Sequence, residues 1–182
     1  MYFLLTQLIG AIGFIAIVLS YFKEEKKKIL FMQIIAYLLF TIHYYLLSGI
    51  TGAICNFIGL FALLTIYMSE KYHLKYKNIL AIFFAILLII INIASFQNAF
   101  SIFPMVASVI VIISFLTDNE DIIRGIGLIS AVCWFIYAIA YKSYISIIFE
   151  TLTLIGTCVA FIKNTSNYEI TNKSIFKWDK IC

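Results

Sequence analysis

Apolar residues run almost unbroken along this chain, and polar ones come in short clusters between the runs. Seven stretches stand out, at 3–22, 29–47, 50–68, 78–95, 99–116, 123–141 and 144–163. A helix needs about 20 apolar residues to cross the hydrocarbon of a bilayer, with a working range of about 17–25. The breaks are the Lys/Glu cluster 23–28, Ser48-Gly49, the polar stretch 69–77, Gln97-Asn98, 117–121 and Lys142-Ser143. No alternation of polar and apolar positions marks the strands of a barrel. The pattern predicts an all-α integral membrane protein, a seven-helix bundle.

Composition excludes the soluble alternative. Of 182 residues, 64% are hydrophobic and 12% charged, and the mean hydropathy is +1.05. Soluble domains average about 45–50% apolar and about 25% charged, and a fold of this size has no interior large enough to hide the excess. Membrane lipids are therefore an expected partner. The net charge of +4 sits beside hydrophobic segments rather than on a basic face, which argues against nucleic acid. The first twenty-two residues lack a positive leading region and a small-residue cleavage site, so they read as a retained helix rather than a signal peptide.

Basic residues set the direction. With the N-terminus outside, Lys23, Lys26, Lys27, Lys28, Lys71, Lys75, Lys77, Arg124, Lys163, Lys173, Lys177 and Lys180 all fall on the cytoplasmic side, and only Lys142 falls outside. The positive-inside rule thus predicts N-out/C-in and an odd number of spans.

The chain also repeats faintly. A shift of ninety-four residues lays the first three runs over the last three without a gap. Ser20 then meets Ser114, Phe40 meets Trp134, His43 meets Tyr137, Asn56 meets Glu150 and Gly10 meets Pro104. A single extra helix between the units makes them enter the membrane in the same direction, a 3+1+3 parallel-repeat arrangement. The expected organisation is repeat 1 over 1–68, a linker helix over 69–98, repeat 2 over 99–163 and a cytoplasmic tail over 164–182.

Few residues could carry chemistry. Glu150 is the one acid inside a span. Placing a carboxylate in hydrocarbon costs at least about 2.5 kcal/mol, so it should face the bundle interior or a water-filled cavity, and burial without a cation favours the neutral acid. It would bind substrate or carry a proton; the plainer reading is an acid bonded to a neighbouring helix. Asn56, in the matching place, can both donate and accept, which suits a polar ligand, but such amides also join helices. His43 near the outer end of the second run is a candidate relay or an interfacial hydrogen-bonding group, with Tyr137 as its counterpart. Phe40 and Trp134 could clamp a flat ligand, or simply pack. Pro104, the single proline, is expected to kink the fifth helix and act as a hinge opposite Gly10, or as a static bend.

Other chemistry is not signalled. There is no GxSxG, HExxH, P-loop or GxGxxG and no pair of intramembrane carboxylates, so an enzyme is not expected. His43 with Glu150 is too few ligands for zinc, so neither a metal nor another cofactor is expected. Cys55, Cys133 and Cys158 lie in apolar runs and read as packing, with Cys182 an exposed tail thiol.

Several segments resemble a known family. Leu-Thr-Gln-Leu-Ile-Gly at 5–10, His-Tyr-Tyr-Leu-Leu-Ser-Gly at 43–49, Asn56, Phe-Pro-Met at 103–105, Cys133-Trp134 and Glu150 resemble the bacterial inner-membrane YgjV family over nearly the full length. That family looks like a distant relative of the SWEET, SemiSWEET and PQ-loop transporters, which share a 3+1+3 parallel-repeat fold. The resemblance implies a central pocket framed by a Trp and an Asn from each half, with prolines that help the halves rock. Trp134 and Asn56 fit two of those places. Phe40 stands where the other Trp would be, Glu150 replaces the second Asn, and Gly10 replaces one proline. A sugar is thereby put in doubt, and a proton-linked or cationic substrate is left open.

Two functions remain in contention. One is a transporter moving a small polar metabolite by alternating access, with Asn56, Glu150, Trp134, Phe40, His43 and Tyr137 lining the pocket. It predicts a water-accessible cavity bordered by Asn56 and Glu150. The other is a non-transporting accessory or lipid-interacting protein, which predicts a closed, dry bundle with those side chains paired. A homo-oligomer is compatible with either.

Overall fold

The computed structural model describes residues 2–21, 26–72, 76–114, 116 and 120–155. The expected tail 164–182, Cys158 and Cys182 lie outside the described residues. Within them the chain is helical: α1 Tyr2–Tyr21, α2 Lys26–Leu46, α3 Ile50–Tyr72, α4 Lys77–Ala94, a 3-10 turn Ala99–Ser101, α5 Ile102–Ser114 and α6 Glu120–Ala140, then α7 Tyr144–Ile155. Helices are what an apolar medium requires, because each backbone N–H and C=O is satisfied within its own segment. Three are individually long and apolar enough to cross a membrane, over Tyr2–Ser20, Lys27–Leu46 and Ile50–Tyr72. Four shorter apolar stretches follow, Asn78–Ala94, Ala99–Ser114, Gly125–Ala140 and Tyr144–Ile155.

The outward faces are greasy. Leu4, Leu8, Ile12, Ile15 and Leu19 form an exposed stripe on α1, and Ile79, Ile82, Phe83, Ile86, Ile90 and Ile93 form one on α4. Their three- and four-residue spacing places each set on one side of its helix. Exposed stripes of this kind are lipid-facing surface. α3 lies at the centre, packed on α2, α4 and α5. Small residues permit the close approach: Ala62 from α3 and Ala81 and Ala85 from α4 are buried in one cluster with Cys55, Ile58, Leu88 and Ile112. Small side chains at such interfaces let helix backbones come together in lipid, where no hydrophobic force drives association.

Helix directions follow from hydrogen bonds between termini. The end of α2 bonds the start of α1 through His43 and Thr6. The start of α3 bonds the end of α4 through Cys55 and Asn92, and the 3-10 turn that leads into α5 through Thr51 and Ser101. The start of α7 bonds the start of α1 through Ile145 and Gln7. All the short turns therefore share one end of the bundle, and the ends of α2 and α3 that carry Lys27, Lys28 and Lys71 lie towards the other.

Two of those turns are built alike. Ser48 (φ 60°) and Lys142 (φ 53°) are the non-glycine residues with positive φ among the described residues. In the first turn, Ser48 N–H donates to Tyr45 C=O at 3.0 Å and Gly49 N–H to Tyr44 C=O at 2.9 Å. In the second, Lys142 N–H donates to Ile139 C=O at 3.2 Å and Ser143 N–H to Ala138 C=O at 2.9 Å. Both are left-handed helix ends in which two orphan carbonyls are satisfied by the two following amides. Every donor and acceptor of the second lies ninety-four positions after its counterpart in the first. The same spacing relates two buried serines, with Ser20 donating to Ile17 C=O at 2.6 Å and Ser114 to Val111 C=O at 2.7 Å.

Pro104 departs from expectation. It occupies the first turn of α5, directly after the 3-10 turn. A first-turn N–H has no partner inside the helix, so a proline there starts the helix instead of bending it. Gly10 is not a loose point either. A Cβ at that position would lie 2.7 Å from Ile145 Cγ2 and 2.8 Å from the His43 ring, so its hydrogen admits close packing of α1 against α2 and α7.

Candidate functional site

Most polar contacts between helices gather at the short-turn end, around His43. The ring is fully buried. Its Nδ1 lies 2.8 Å from the Thr6 carbonyl on α1, and its Nε2 lies 2.7 Å from Ser143 Oγ at the start of α7. A carbonyl can only accept, so Nδ1 carries a hydrogen. Nε2 is then the nitrogen free to change state. Neutral, it accepts from the Ser143 hydroxyl; protonated, it donates to the same oxygen. Ser143 Oγ lies 2.6 Å from Ser146 Oγ, and the Tyr44 hydroxyl lies beside both serines and within electrostatic reach of Glu150.

Glu150 completes a file of polar groups on one side of α7. Ser143, Ser146 and Glu150 are three and four residues apart, the spacing that stacks side chains on a helix face. The carboxyl is half-buried.

An aromatic cluster closes the site on the other side. Tyr44 stacks on Trp134 with ring centroids 5.4 Å apart, and Tyr137 sits 5.4 Å from Tyr44. Phe40 packs against the same group. Tyr137, fully buried, accepts a hydrogen bond from Gly52 N–H at 2.8 Å. The absent side chain at Gly52 makes this possible, since a Cβ there would lie 2.5 Å from Tyr137 Cε1.

The structure thus brings Phe40, His43, Trp134 and Tyr137 together around Tyr44, and it sets Glu150 beside that group. Asn56 is buried nearby but bonds Gly52 C=O of its own helix at 2.8 Å. A groove of about 390 Å³ lies elsewhere, between α2 and α3, lined by residues that include Ile42, Ala53, Ile54 and Phe57. Cys55 is buried, as expected, and donates to Asn92 Oδ1 at 3.3 Å. No group of three metal-ligating side chains occurs among the described residues.

Sequence reasoning overlooked Tyr44, Ser143, Ser146, Gln7 and Thr6. One signal was available for the serines. They precede Glu150 by seven and four residues on its own helix face, where Gly49 and Gly52 precede Asn56 by the same intervals.

The family model for bacterial inner membrane proteins of the Imp-YgjV type matches residues 4–167. The chain belongs to the YgjV family. The match runs through all seven helices, so the cluster around Tyr44 lies inside the family's own span. As a YgjV-family member the chain is a bacterial inner membrane protein, which fits its lipid-facing stripes. No curated protein and no solved structure matched.

Proposed function

We propose that this YgjV-family protein moves a small polar metabolite across the inner membrane by alternating access. In this reading all seven helices cross the bilayer with the N-terminus outside. α1–α3 and α5–α7 are two parallel copies of one unit joined by α4, a relation supported by the matched turns and back-bonded serines at ninety-four-residue spacing.

One observation carries the proposal: the two halves grip each other reciprocally at the short-turn end. Gln7 Oε1 of the first half accepts from Ile145 N–H of the second, while Thr51 of the first donates to Ser101 of the second. The residues in these two contacts correspond pairwise at the ninety-four spacing. His43 reaches Ser143 and Tyr137 reaches Gly52 in the same crossed sense. Crossed contacts around a pseudo-two-fold axis are what one closed gate of a rocking transporter requires, because breaking them together lets that end open. Glu150, Asn56, Trp134 and Phe40 border the space that opening would expose. Pro104 and Gly10 serve it as fixed packing points at the ends of the moving helices.

The accessory reading keeps one supporting observation, the bond from Asn56 to its own helix, which occupies one donor of the residue expected to hold substrate. Uptake of a mixed metabolite library into proteoliposomes separates the two. Transport predicts accumulation of one compound, abolished by Glu150→Gln and by Asn56→Ala in protein that stays folded. If nothing accumulates and both changes only lower thermal stability, the transport reading is wrong and the polar residues are structural.

A further inference from the structure

His43, Ser143 and Ser146 form a run of short polar contacts, and Glu150 follows Ser146 one turn further along the same face of α7. We infer that His43 and Glu150 share one proton through the hydroxyls of Ser143, Ser146 and Tyr44. The relevance of this exchange to coupling rests on the transport reading; the exchange itself does not.

The geometry supplies the path. His43 Nε2 stands 2.7 Å from Ser143 Oγ, and Ser143 Oγ stands 2.6 Å from Ser146 Oγ. Tyr44 lies beside both serines and within electrostatic reach of Glu150. Hydroxyls both donate and accept, so such a file can point either way. In one state His43 is neutral and Glu150 is a carboxylic acid. Each hydroxyl then donates towards His43, ending with Ser143 O–H to Nε2. In the other state His43 is an imidazolium and Glu150 a carboxylate, and each hydroxyl donates towards Glu150. Passage between them breaks the Glu150 O–H bond and forms the Nε2–H bond. Each intervening oxygen gives up one proton and receives another, so atoms and charge balance. Nδ1 keeps its hydrogen on the Thr6 carbonyl throughout.

The surroundings suit a shared proton. From α1, His43 meets the Thr6 carbonyl and Gly10, neither of which titrates. From α6, Tyr137 packs on Tyr44, and from α3, Cys55 lies within electrostatic reach of Tyr137. Lys142 is exposed at the turn. Glu150 is therefore the acid of the file, and His43 its base.

The test uses full-length protein in lipid nanodiscs labelled with ¹⁵N-histidine. His43 and His73 are the two histidines of the chain, so the spectrum assigns readily. The Nε2 resonance of His43 is followed against pH in the wild type, in Glu150→Gln and in Ser146→Ala. Coupled groups change state together, so both variants should move the His43 transition by about one pH unit or more. Ser146→Thr, which keeps a hydroxyl, should restore the wild-type transition, and an unchanged melting temperature in nanodiscs controls for folding. A His43 transition unaltered in both variants overturns the inference. So does movement in Glu150→Gln alone, because that result means interaction through space without the hydroxyl file. Neither outcome depends on finding a transported compound, so failure here and failure of the transport reading are separate results.

Discussion

The turn at 46–50 and the turn at 140–144 share a backbone and differ in what they carry. The first presents Gly49 and then Gly52; the second presents Ser143 and then Ser146. The facing residues differ in the opposite sense. Tyr137 reaches the glycine turn and bonds the backbone itself, whereas the shorter His43 reaches the serine turn and bonds a side chain. Large meets small on one side, and medium meets medium on the other. One scaffold thus yields a plain aromatic latch in one place and an ionisable latch in the other. The chemistry is concentrated where the serines are.

Removing the larger latch should show most. Tyr137→Ala vacates a fully buried ring and is expected to cost about 3–5 kcal/mol, read as a large drop in melting temperature in nanodiscs. A change of only a degree or two would mean that the aromatic cluster is not packed as described. Gly52→Ala attacks the same contact from the other side. Its Cβ would lie 2.5 Å from Tyr137 Cε1, and overpacking of this kind costs about 1–3 kcal/mol. The loss should shrink in the double variant with Tyr137→Ala; simple additivity would contradict direct contact.

The shared backbone makes a matched prediction. Ser48→Gly and Lys142→Gly should each raise stability by up to roughly 1 kcal/mol, since a left-handed conformation is unfavourable for residues with a Cβ. Unequal gains would argue that the two turns are not equivalent. Smallest is Tyr137→Phe, which removes only the bond from Gly52 N–H and should cost about 0.6 kcal/mol, the usual value for a polar contact between membrane helices. A loss as large as that of Tyr137→Ala would place the weight on the hydroxyl instead of the ring.

Much of the framework was legible in the residues. The Ser48-Gly49 and Lys142-Ser143 breaks fall at the two left-handed turns, and α2, α3 and α4 begin or end within a few residues of the expected boundaries. Hydropathy reads such ends well because lipid tolerates few polar interruptions. The proline was misjudged as a kink because hydropathy does not reveal where the first turn of α5 begins. The site was legible only in part. His43 and Glu150 announce themselves as ionisable groups in apolar runs, but Ser143 lies a hundred residues from His43 and looks like any turn serine. Which residues meet depends on how each helix is rotated about its axis. That rotation follows from small contacts such as Gly10 against His43 and Ile145, which no count of apolar residues records.

The helices are fastened to one another in two ways. At the short-turn end, buried polar groups bond from helix to helix. Elsewhere, Ser20 and Ser114 bond carbonyls of their own helices, and Leu30, Leu63 and Ile66 join α2 to α3 by apolar contact. Hydrogen bonds fix both distance and angle, whereas dispersion contacts change little as one surface slides over another. Contacts of the first kind hold a helix at a set rotation, and those of the second let one helix slide along another. Bilayer thickness and lateral pressure would act on the sliding contacts first, making the lipid itself a lever on the bundle's shape.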